Sequence, residues 1–410
     1  MTCHDHAGQG EGLAPTAGGD AAGRPKLAVF AATSGHSGVD RVLKNLLPEL
    51  AARGIAIDLL QIDRHGPHLD CLPAGVQRIP LGRRHVNTSL GPLVAYLRRV
   101  RPNALLTDKD KVNRLAIVGR WLAGVDTRVA VRIGTNVSTN LASRGHVARW
   151  TQRASIARLY RYADAIITPS QGAAEDLARV AGLAATRISV VPNPAVTASL
   201  HEQARAGAQH PWLARKTTPV ILGIGELGGR KDFATLIRAF ARVRRKRPVR
   251  LVILGEGKRR DELEALARAL GVADDVALPG FFANPYAELV RADAFALTSV
   301  CEGAGMVLME ALALGVPCLA TDAPSGPREI LDDGRLGPVL PIGDDAGIAA
   351  ALLGLLAQPT PRARLQAGAR RYEVAASADA YLAALGLAAA SSAGVADADS
   401  ASGDPALGPR

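Results

Sequence analysis

The stretch TSVCEGAGMVLMEALALGVPCLATD (298–322) contains the pattern that decides the fold of this 410-residue chain. An apolar run ends at Ser299, a glycine-containing loop carries Glu302, and a helix is predicted to begin near Gly305. The free amide groups and the dipole of such a helix start attract anions, and glycines let a ligand approach the backbone. This order of strand, loop and helix predicts an anion-binding site at the carboxyl end of a strand.

Two carboxylates accompany the predicted anion site. Glu302 lies on the loop, and Glu310 lies on the helix that follows. Carboxylates are poor phosphate ligands, but they accept hydrogen bonds from sugar hydroxyls. A ligand with both phosphate and hydroxyl groups fits the pattern; a helix cap at Glu302 and a solvated side chain at Glu310 are the alternatives.

The rest of the chain alternates short apolar runs with amphipathic stretches, which predicts parallel sheets covered by helices. In the second half, PVILGIGEL (219–227) is a predicted strand and DFATLIRAFARVRRKR (232–247) is the helix after it. The first half opens with the strand KLAVFAAT (26–33), and a helix that ends at Gly54 follows. The fold class is therefore α/β, with two Rossmann-like domains that bind ligands at their strand ends.

Composition sets the domain boundaries. Both ends of the chain are rich in Gly, Ala, Ser and Asp and lack periodicity, so we expect disordered tails. The predicted segments are a tail over 1–24, a first domain over 25–194, a polar linker over 195–214, a second domain over 215–360, a final helix over 361–386 that packs back on the first domain, and a tail over 387–410.

Composition also excludes several classes of protein. No stretch reaches the ~18 apolar residues that span a membrane. The N-terminus lacks the basic and apolar regions of a signal peptide, and the cysteines form no CxxC pair. We therefore expect a cytoplasmic protein with reduced thiols at Cys3, Cys71, Cys301 and Cys318.

The net charge of +11 is concentrated in the first half. Two segments contain arginines and no acidic residue: Arg78, Arg83, Arg84, Arg98, Arg99 and Arg101, and then Arg128, Arg132, Arg144, Arg149, Arg153, Arg158 and Arg161. Such a field attracts anionic lipid headgroups, pyrophosphate-bearing acceptors or nucleic acid, although a solvated basic surface gives the same pattern.

The stretch SRGHVARWTQRASIARLYRYAD (143–164) combines these arginines with aromatic residues such as Trp150. Peripheral contact with an anionic membrane is one interpretation, and a packed surface helix is the other. No nucleic-acid partner is predicted, because charge without a recognisable module does not indicate one.

The E-x7-E arrangement, followed by LALGVPCLATDAPSGPREIL (312–331), resembles the donor-site signature of family 4 retaining glycosyltransferases of the GT-B fold. Upstream, GIGELGGRKDFATLIRAF (223–240) resembles the phosphate-binding strand, loop and helix of that family. The resemblance is close over 215–335 and looser over 25–194. It implies two Rossmann-like domains that face a central cleft, with a nucleotide-sugar donor bound by the second.

The resemblance implies a role for each matching residue. Arg230 and Lys231 would bind the donor diphosphate and, with Glu302, form the catalytic set. Glu302 would bind hydroxyls of the transferred sugar, and Glu310 would bind the nucleotide ribose. Cations and a helix start at the diphosphate stabilise the charge that develops on the leaving group. The implied donor-binding residues are Gly225, Arg230, Lys231, Glu302, Gly303, Ala304, Gly305 and Glu310, and the acceptor-side residues are Gly38, Thr135 and Asn136.

The chain departs from the family pattern at three places. Glu226 stands where most relatives have arginine, and Arg230 is the expected substitute. Ala304 stands where an aromatic residue is usual, and RIGTN (132–136) lacks the usual histidine. These departures support an alternative in which the protein binds a sugar nucleotide without transferring the sugar.

The resemblance implies transfer of a hexose-type unit, with retention of configuration, from a UDP-sugar to a glycan or lipid-linked acceptor. The setting implied is surface polysaccharide assembly at the cytoplasmic membrane face. Domain closure would exclude water from the reaction. No cofactor is expected, and no metal, because the sequence contains no cluster with metal-ligand spacing.

Two motifs point elsewhere. The glycines over 223–228 match GxGxxG, with Glu256 ending the next strand, so an NAD-dependent oxidoreductase is the second alternative. Arg230 and Lys231 have no role in hydride transfer, which argues against it. The DxD string at Asp108 and Asp110 is treated as a loop, because it follows a strand of the first domain.

Overall fold

The computed structural model describes residues 24–33, 37–69, 71–142 and 144–388, and the predicted tails lie almost entirely outside this part of the chain. The elements of the first half are β1 (Lys26–Ala31), α1 (Gly38–Ala52), β2 (Ala56–Gln61), β3 (Val76–Pro80), α2 (Leu90–Val100), β4 (Ala104–Asp108), α3 (Asp110–Ala123), β5 (Arg128–Arg132), α4 (Val137–Ala142), α5 (His146–Leu159), β6 (Ala165–Thr168), α6 (Gln171–Ala181) and β7 (Ile188–Val190).

The second half begins with two short helices and continues with alternating strands and helices. Its elements are α7 (Ala198–Ala204), α8 (Pro211–Ala214), β8 (Val220–Ile224), α9 (Phe233–Arg244), β9 (Arg250–Leu254), α10 (Arg260–Ala269), β10 (Val276–Gly280), α11 (Tyr286–Leu289), β11 (Ala294–Leu297), α12 (Met306–Ala313), β12 (Cys318–Thr321), α13 (Pro327–Ile330), β13 (Val339–Leu340), α14 (Asp345–Ala357), α15 (Arg362–Ala369) and α16 (Val374–Leu385).

The strands form two parallel sheets. The first has the order β3-β2-β1-β4-β5-β6-β7, and the second has the order β10-β9-β8-β11-β12-β13. Helices cover both faces of each sheet, so the central strands are apolar along their whole length: β4 is buried throughout. The strand order reverses between β1 and β4 and again between β8 and β11, and ligands bind at such switch points. The predicted α/β class with two Rossmann-like domains is confirmed.

Two predicted segments differ from the structure. The linker over 195–214 contains α7 and α8, whose Leu200 and Leu213 are buried in the core of the second sheet. Both helices are too short to show a helical period in the sequence. They are therefore part of the second domain's packing and not an irregular connection.

The final helix predicted over 361–386 is two helices. In α15, Leu365 packs in the core of the second domain, whereas in α16 Tyr381 and Leu385 pack beneath the first sheet. The chain passes between the domains twice, once after β7 and once between α15 and α16. The two crossings lie side by side, and the amide of Val196 in the first donates to the carbonyl of Tyr372 in the second over 2.9 Å. The two crossings are thus hydrogen-bonded to each other. Among the described residues, no helix is both long enough and apolar enough to cross a membrane.

Candidate active site

The loops that follow β8 and β11 meet because these strands are neighbours in a parallel sheet. The amide of Val300 donates to the carbonyl of Arg230 over 2.9 Å. The hydroxyl of Thr298 donates to the carbonyl of Lys231 over 3.1 Å. These bonds fix the Arg230–Lys231 pair beside the loop that carries Glu302.

Lys231 and Glu302 form the centre of the site. The Lys231 Nζ donates to Glu302 Oε1 over 2.6 Å, and the Ser299 hydroxyl donates to the same oxygen over 2.5 Å. Both side chains are largely buried, with 12% of Lys231 and 7% of Glu302 exposed. The fold therefore brings together two predicted donor ligands of opposite charge.

Gly225 permits this arrangement. A Cβ atom at this position would lie 2.7 Å from Cε of Lys231, so a larger residue would displace the lysine side chain from its position over the loop. The GxGxxG interpretation requires the same backbone to approach a dinucleotide pyrophosphate. In this structure Lys231 covers Gly225, which fits a cationic diphosphate site better than a dinucleotide fingerprint.

The predicted anion site would lie at the start of α12. Gly305 caps the helix in the left-handed conformation, with φ of 59°. Gly303 allows a close approach of the two domains, because a Cβ atom there would lie 2.9 Å from the carbonyl oxygen of Gly134. The side chain of Ala304 packs in the core of the second domain. The departure at Ala304 therefore faces the core, and only its backbone is available to a phosphate.

Glu310 lies one turn into α12 and is almost fully buried, with 1% exposed. Arg41 of α1, in the first domain, forms an ion pair with it. The hydroxyl of Tyr286 lies 3.3 Å from Glu310 Oε1 and accepts from Arg41 over 3.0 Å. Burial raises the pKa of Glu310, and Arg41 opposes this shift. Burial also raises the pKa of Tyr286 to about 12.

Sequence reasoning missed Arg41 and Tyr286. Arg41 is separated from Glu310 by most of the chain, and only the packing of the two domains brings them together. The available signal was the position of Arg41 in the first turn of α1, which begins at the predicted acceptor-side residue Gly38. Tyr286 lies on a helix of four residues, which leaves no pattern to read.

The acceptor-side residue Gly38 begins α1 behind Ser37, whose hydroxyl caps the helix in a reciprocal pair with Asp40. A Cβ atom at Gly38 would meet nothing within 4 Å. The backbone there is therefore open to a ligand rather than packed, although a plain helix start explains it equally well.

Thr135 and Asn136 follow β5, which lies beyond β4 from the switch point between β1 and β4. Thr135 accepts from the amide nitrogen of Asn140 over 2.7 Å and lines a cavity of about 880 Å³, which Arg230 of the second domain also lines. Asn136 instead donates across the cleft to Ser325 over 3.0 Å and is buried. Thr135 therefore faces the cleft, whereas Asn136 joins the two domains.

The prediction of a loop for the DxD string is wrong. Asp108 is the last residue of β4 and pairs with the buried Arg132, and Asp110 begins α3 and accepts from Arg114 over 2.8 Å. Both carboxylates are occupied by arginines. Within the described ranges, no three His, Cys, Asp or Glu side chains are grouped closely enough to hold a metal ion.

Two family models match the chain, the "Glycosyl transferase 4-like domain" over residues 37–194 and "Glycosyl transferases group 1" over residues 208–372. A similar relative is the N-acetylgalactosamine-N,N'-diacetylbacillosaminyl-diphospho-undecaprenol 4-alpha-N-acetylgalactosaminyltransferase of Campylobacter jejuni, 29% identical over 81% of this chain and 90% of its own length. The lipopolysaccharide core biosynthesis glycosyltransferase LpsE of Rhizobium meliloti is 35% identical over 50% of this chain and 58% of its own length.

Solved structures share the fold. The lipopolysaccharide outer core galactosyltransferase WaaB, in its apo form, has a TM-score of 0.68 at 21% identity and covers 88% of this chain and 99% of its own. HepE of Anabaena in complex with UDP has a TM-score of 0.69 at 17% identity over the same shares. The first model matches the first domain, and the second model matches the second domain, which carries Lys231 and Glu302. This chain belongs to the family 4 glycosyltransferases, and it is a glycosyltransferase of the GT-B fold.

Proposed function

We propose that this enzyme transfers a sugar from a UDP-sugar to a glycan or lipid-linked acceptor in surface polysaccharide biosynthesis, with retention of configuration. The observation that carries the proposal is the Lys231–Glu302 pair, held beside Arg230 at the start of α12. The named activities of similar proteins support it: one is a transferase to a diphospho-undecaprenol saccharide, and another acts in lipopolysaccharide core biosynthesis. HepE, which shares the fold, binds UDP.

Each charged group has a distinct part in the proposed reaction. Lys231, Arg230 and the amides of α12 stabilise the diphosphate as it leaves, because they lie where its negative charge develops. Glu302 accepts hydrogen bonds from hydroxyls of the transferred sugar, and Glu310 accepts from the ribose. Front-face attack by the acceptor gives retention without a protein nucleophile.

The proposal is tested by a thermal-shift panel of UDP, GDP, ADP, UDP-sugars and NAD, with and without EDTA. A ligand at 100 times its dissociation constant stabilises a protein by about 2.7 kcal/mol, or several degrees. We expect a shift with UDP and its sugars that survives EDTA, and release of UDP when acceptor is added. Binding without transfer would favour the degenerate sugar-nucleotide binder, and a shift with NAD alone would contradict the proposal.

Replacing Lys231 by alanine is expected to weaken UDP binding roughly 10- to 100-fold, because one charge-assisted hydrogen bond is worth about 1.5–3 kcal/mol. Isothermal titration with UDP measures the effect. Lys246→Ala, at an exposed position after α9, is the matched control and should bind UDP like the wild type. Equal UDP affinity of the Lys231 and Lys246 variants would place the diphosphate elsewhere.

We also propose that α5 touches the cytoplasmic membrane face, where a lipid-linked acceptor lies. Trp150 and Val147 are 71% and 77% exposed on its surface, and Arg149 and Arg153 flank Trp150. Exposed apolar residues between arginines are a feature of helices that lie at anionic lipid interfaces.

Replacing Trp150 by serine should reduce binding to phosphatidylglycerol-containing vesicles by roughly 3- to 10-fold, because the buried apolar area is lost. Vesicle co-sedimentation measures this, and added salt should weaken binding further. Phe281→Ser is the control, since Phe281 is 74% exposed in the second domain. If both variants bind vesicles like the wild type, α5 does not contact the membrane.

A further inference from the structure

The cavity that Thr135 and Arg230 line has a strongly basic wall. Five exposed cationic side chains line it: Arg64, Lys109, Lys111, Arg144 and Arg230. Four of them belong to the first domain, on loops that follow β2, β4 and α4 or at the start of α3. The first domain therefore presents a field of positive charge across the cleft from the donor site.

The acidic residues of this cavity do not neutralise that charge. Asp108 is paired with the buried Arg132, and Asp110 is paired with Arg114. Within the described part of the chain, the five exposed cations form no ion pair. Like charges gathered around one cavity repel each other, and an anionic ligand relieves this repulsion.

The backbone holds two of these cations in unfavourable conformations. Arg64 and Lys109 have φ of 63° and 79°, in the region that favours glycine. Each such residue costs about 1–3 kcal/mol and persists where the surroundings impose it, often at ligand sites. The conformation of both residues is therefore imposed by the surrounding structure rather than by backbone preference.

The rest of the wall is apolar. Val86, Val112 and Ile133 line the same cavity, whose volume of about 880 Å³ admits a ligand larger than one phosphate group. A molecule with an anionic group and a carbon skeleton matches both parts of the wall. Guanidinium and ammonium groups together bind phosphate oxygens well.

We propose that this cavity is the acceptor subsite and that it binds a phosphate or diphosphate group carried by the acceptor. The proposal rests on the glycosyltransferase function proposed above. The donor diphosphate is assigned to Lys231 and the start of α12 in the second domain. The cavity is therefore a second anion site, and Arg230 lies where the two sites meet.

The test is a titration of the full chain with inorganic pyrophosphate in the presence of saturating UDP. We expect pyrophosphate to bind while UDP occupies the donor site. The double variant Arg64→Ala, Lys111→Ala should weaken this binding roughly 10-fold or more and leave UDP affinity unchanged. The matched control is Arg245→Ala, Lys246→Ala, whose residues are exposed after α9.

Two outcomes overturn the cavity proposal: pyrophosphate fails to bind the UDP-saturated chain, or the double variant binds it like the control. If the chain fails to bind UDP, that result counts against the proposed function. Titration of the double variant and its control with pyrophosphate alone would then still test whether the cavity binds an anion. If farnesyl diphosphate competes with pyrophosphate for the cavity and glycerol phosphate does not, the acceptor group is a lipid-linked diphosphate. The reverse would identify a phosphorylated glycan.

Discussion

Replacing Glu302 by alanine will lower the turnover number roughly 100- to 1,000-fold while the protein stays folded, because in the proposed reaction Glu302 holds the transferred sugar where the charge develops. The carboxylate is largely buried and accepts hydrogen bonds from Lys231 and Ser299. Glu302 is the only acidic residue of the loop over 298–305, so no second carboxylate there can take its place. Initial rates of UDP release with acceptor measure the loss.

The same substitution should not weaken binding of UDP itself. In the wild type Lys231 donates to Glu302, and removing the carboxylate leaves the ammonium group free to bind phosphate. We expect UDP affinity in the Glu302→Ala variant to be equal to or above that of the wild type, whereas Lys231→Ala lowers it. A lower turnover with unchanged or higher UDP affinity would mean that the variant has lost a sugar ligand, because a variant that had lost its fold would also lose UDP binding.

Glu262→Ala is the control for this experiment, because it removes the same charge from an exposed position in α10. Its turnover and UDP affinity should match the wild type. A Glu302→Ala variant that keeps full activity would show that the donor sugar binds elsewhere, and the assignment of the whole 298–310 segment would fail with it.

The sequence predicted the donor side of this site better than the cleft. Lys231 and Glu302 are far apart in the sequence, yet both follow strands, and the carboxyl ends of neighbouring parallel strands lie at one edge of a sheet. Strand-ending residues are therefore predictable partners once the α/β pattern is read. The resemblance to family 4 glycosyltransferases named Arg230, Lys231 and Glu302 as one group, and the parallel-strand rule explains why the fold brings them together.

Contacts between the domains were not predictable in this way. The Arg41–Glu310 pair and the Asn136–Ser325 bond depend on how two separately folded sheets face each other, and no periodicity encodes that. The short helices of 195–214 were missed because each buries a single leucine, so an amphipathic pattern has no room to repeat. Charge reasoning did locate the basic first domain, but the folding of its loops decides which arginines line the cavity.

Replacing Asp108 by asparagine will destabilise the first domain by about 3–5 kcal/mol, because it leaves a buried guanidinium without its counter-charge. Arg132 is 2% exposed; besides the ion pair with Asp108, it donates to the hydroxyl of Tyr381 over 2.8 Å and to Asn193 over 2.5 Å. Burial alone would lower the pKa of Arg132, but Tyr381 and Asp108 outweigh it and raise this pKa. Because arginine keeps its charge in proteins, the variant buries a guanidinium that has lost its counter-charge.

The loss should appear as a melting temperature lower by roughly 6–20 °C. Thermal unfolding followed by circular dichroism measures it. Because Tyr381 belongs to α16, the lower-melting transition should include release of this helix from the first sheet. Asp126→Asn, at an exposed position before β5, is the matched control and should melt with the wild type.

This experiment also decides what the DxD string does. If Asp108 and Asp110 held a catalytic metal, Asp108→Asn would lose activity at unchanged melting temperature, and added Mn²⁺ would restore part of it. If Asp108 balances Arg132, the variant loses stability whether or not Mn²⁺ is present, and its activity at low temperature falls only as far as the folded fraction falls. The pairing of both carboxylates with arginines favours the second result, since a carboxylate held by a guanidinium must give up that bond before it can bind a cation.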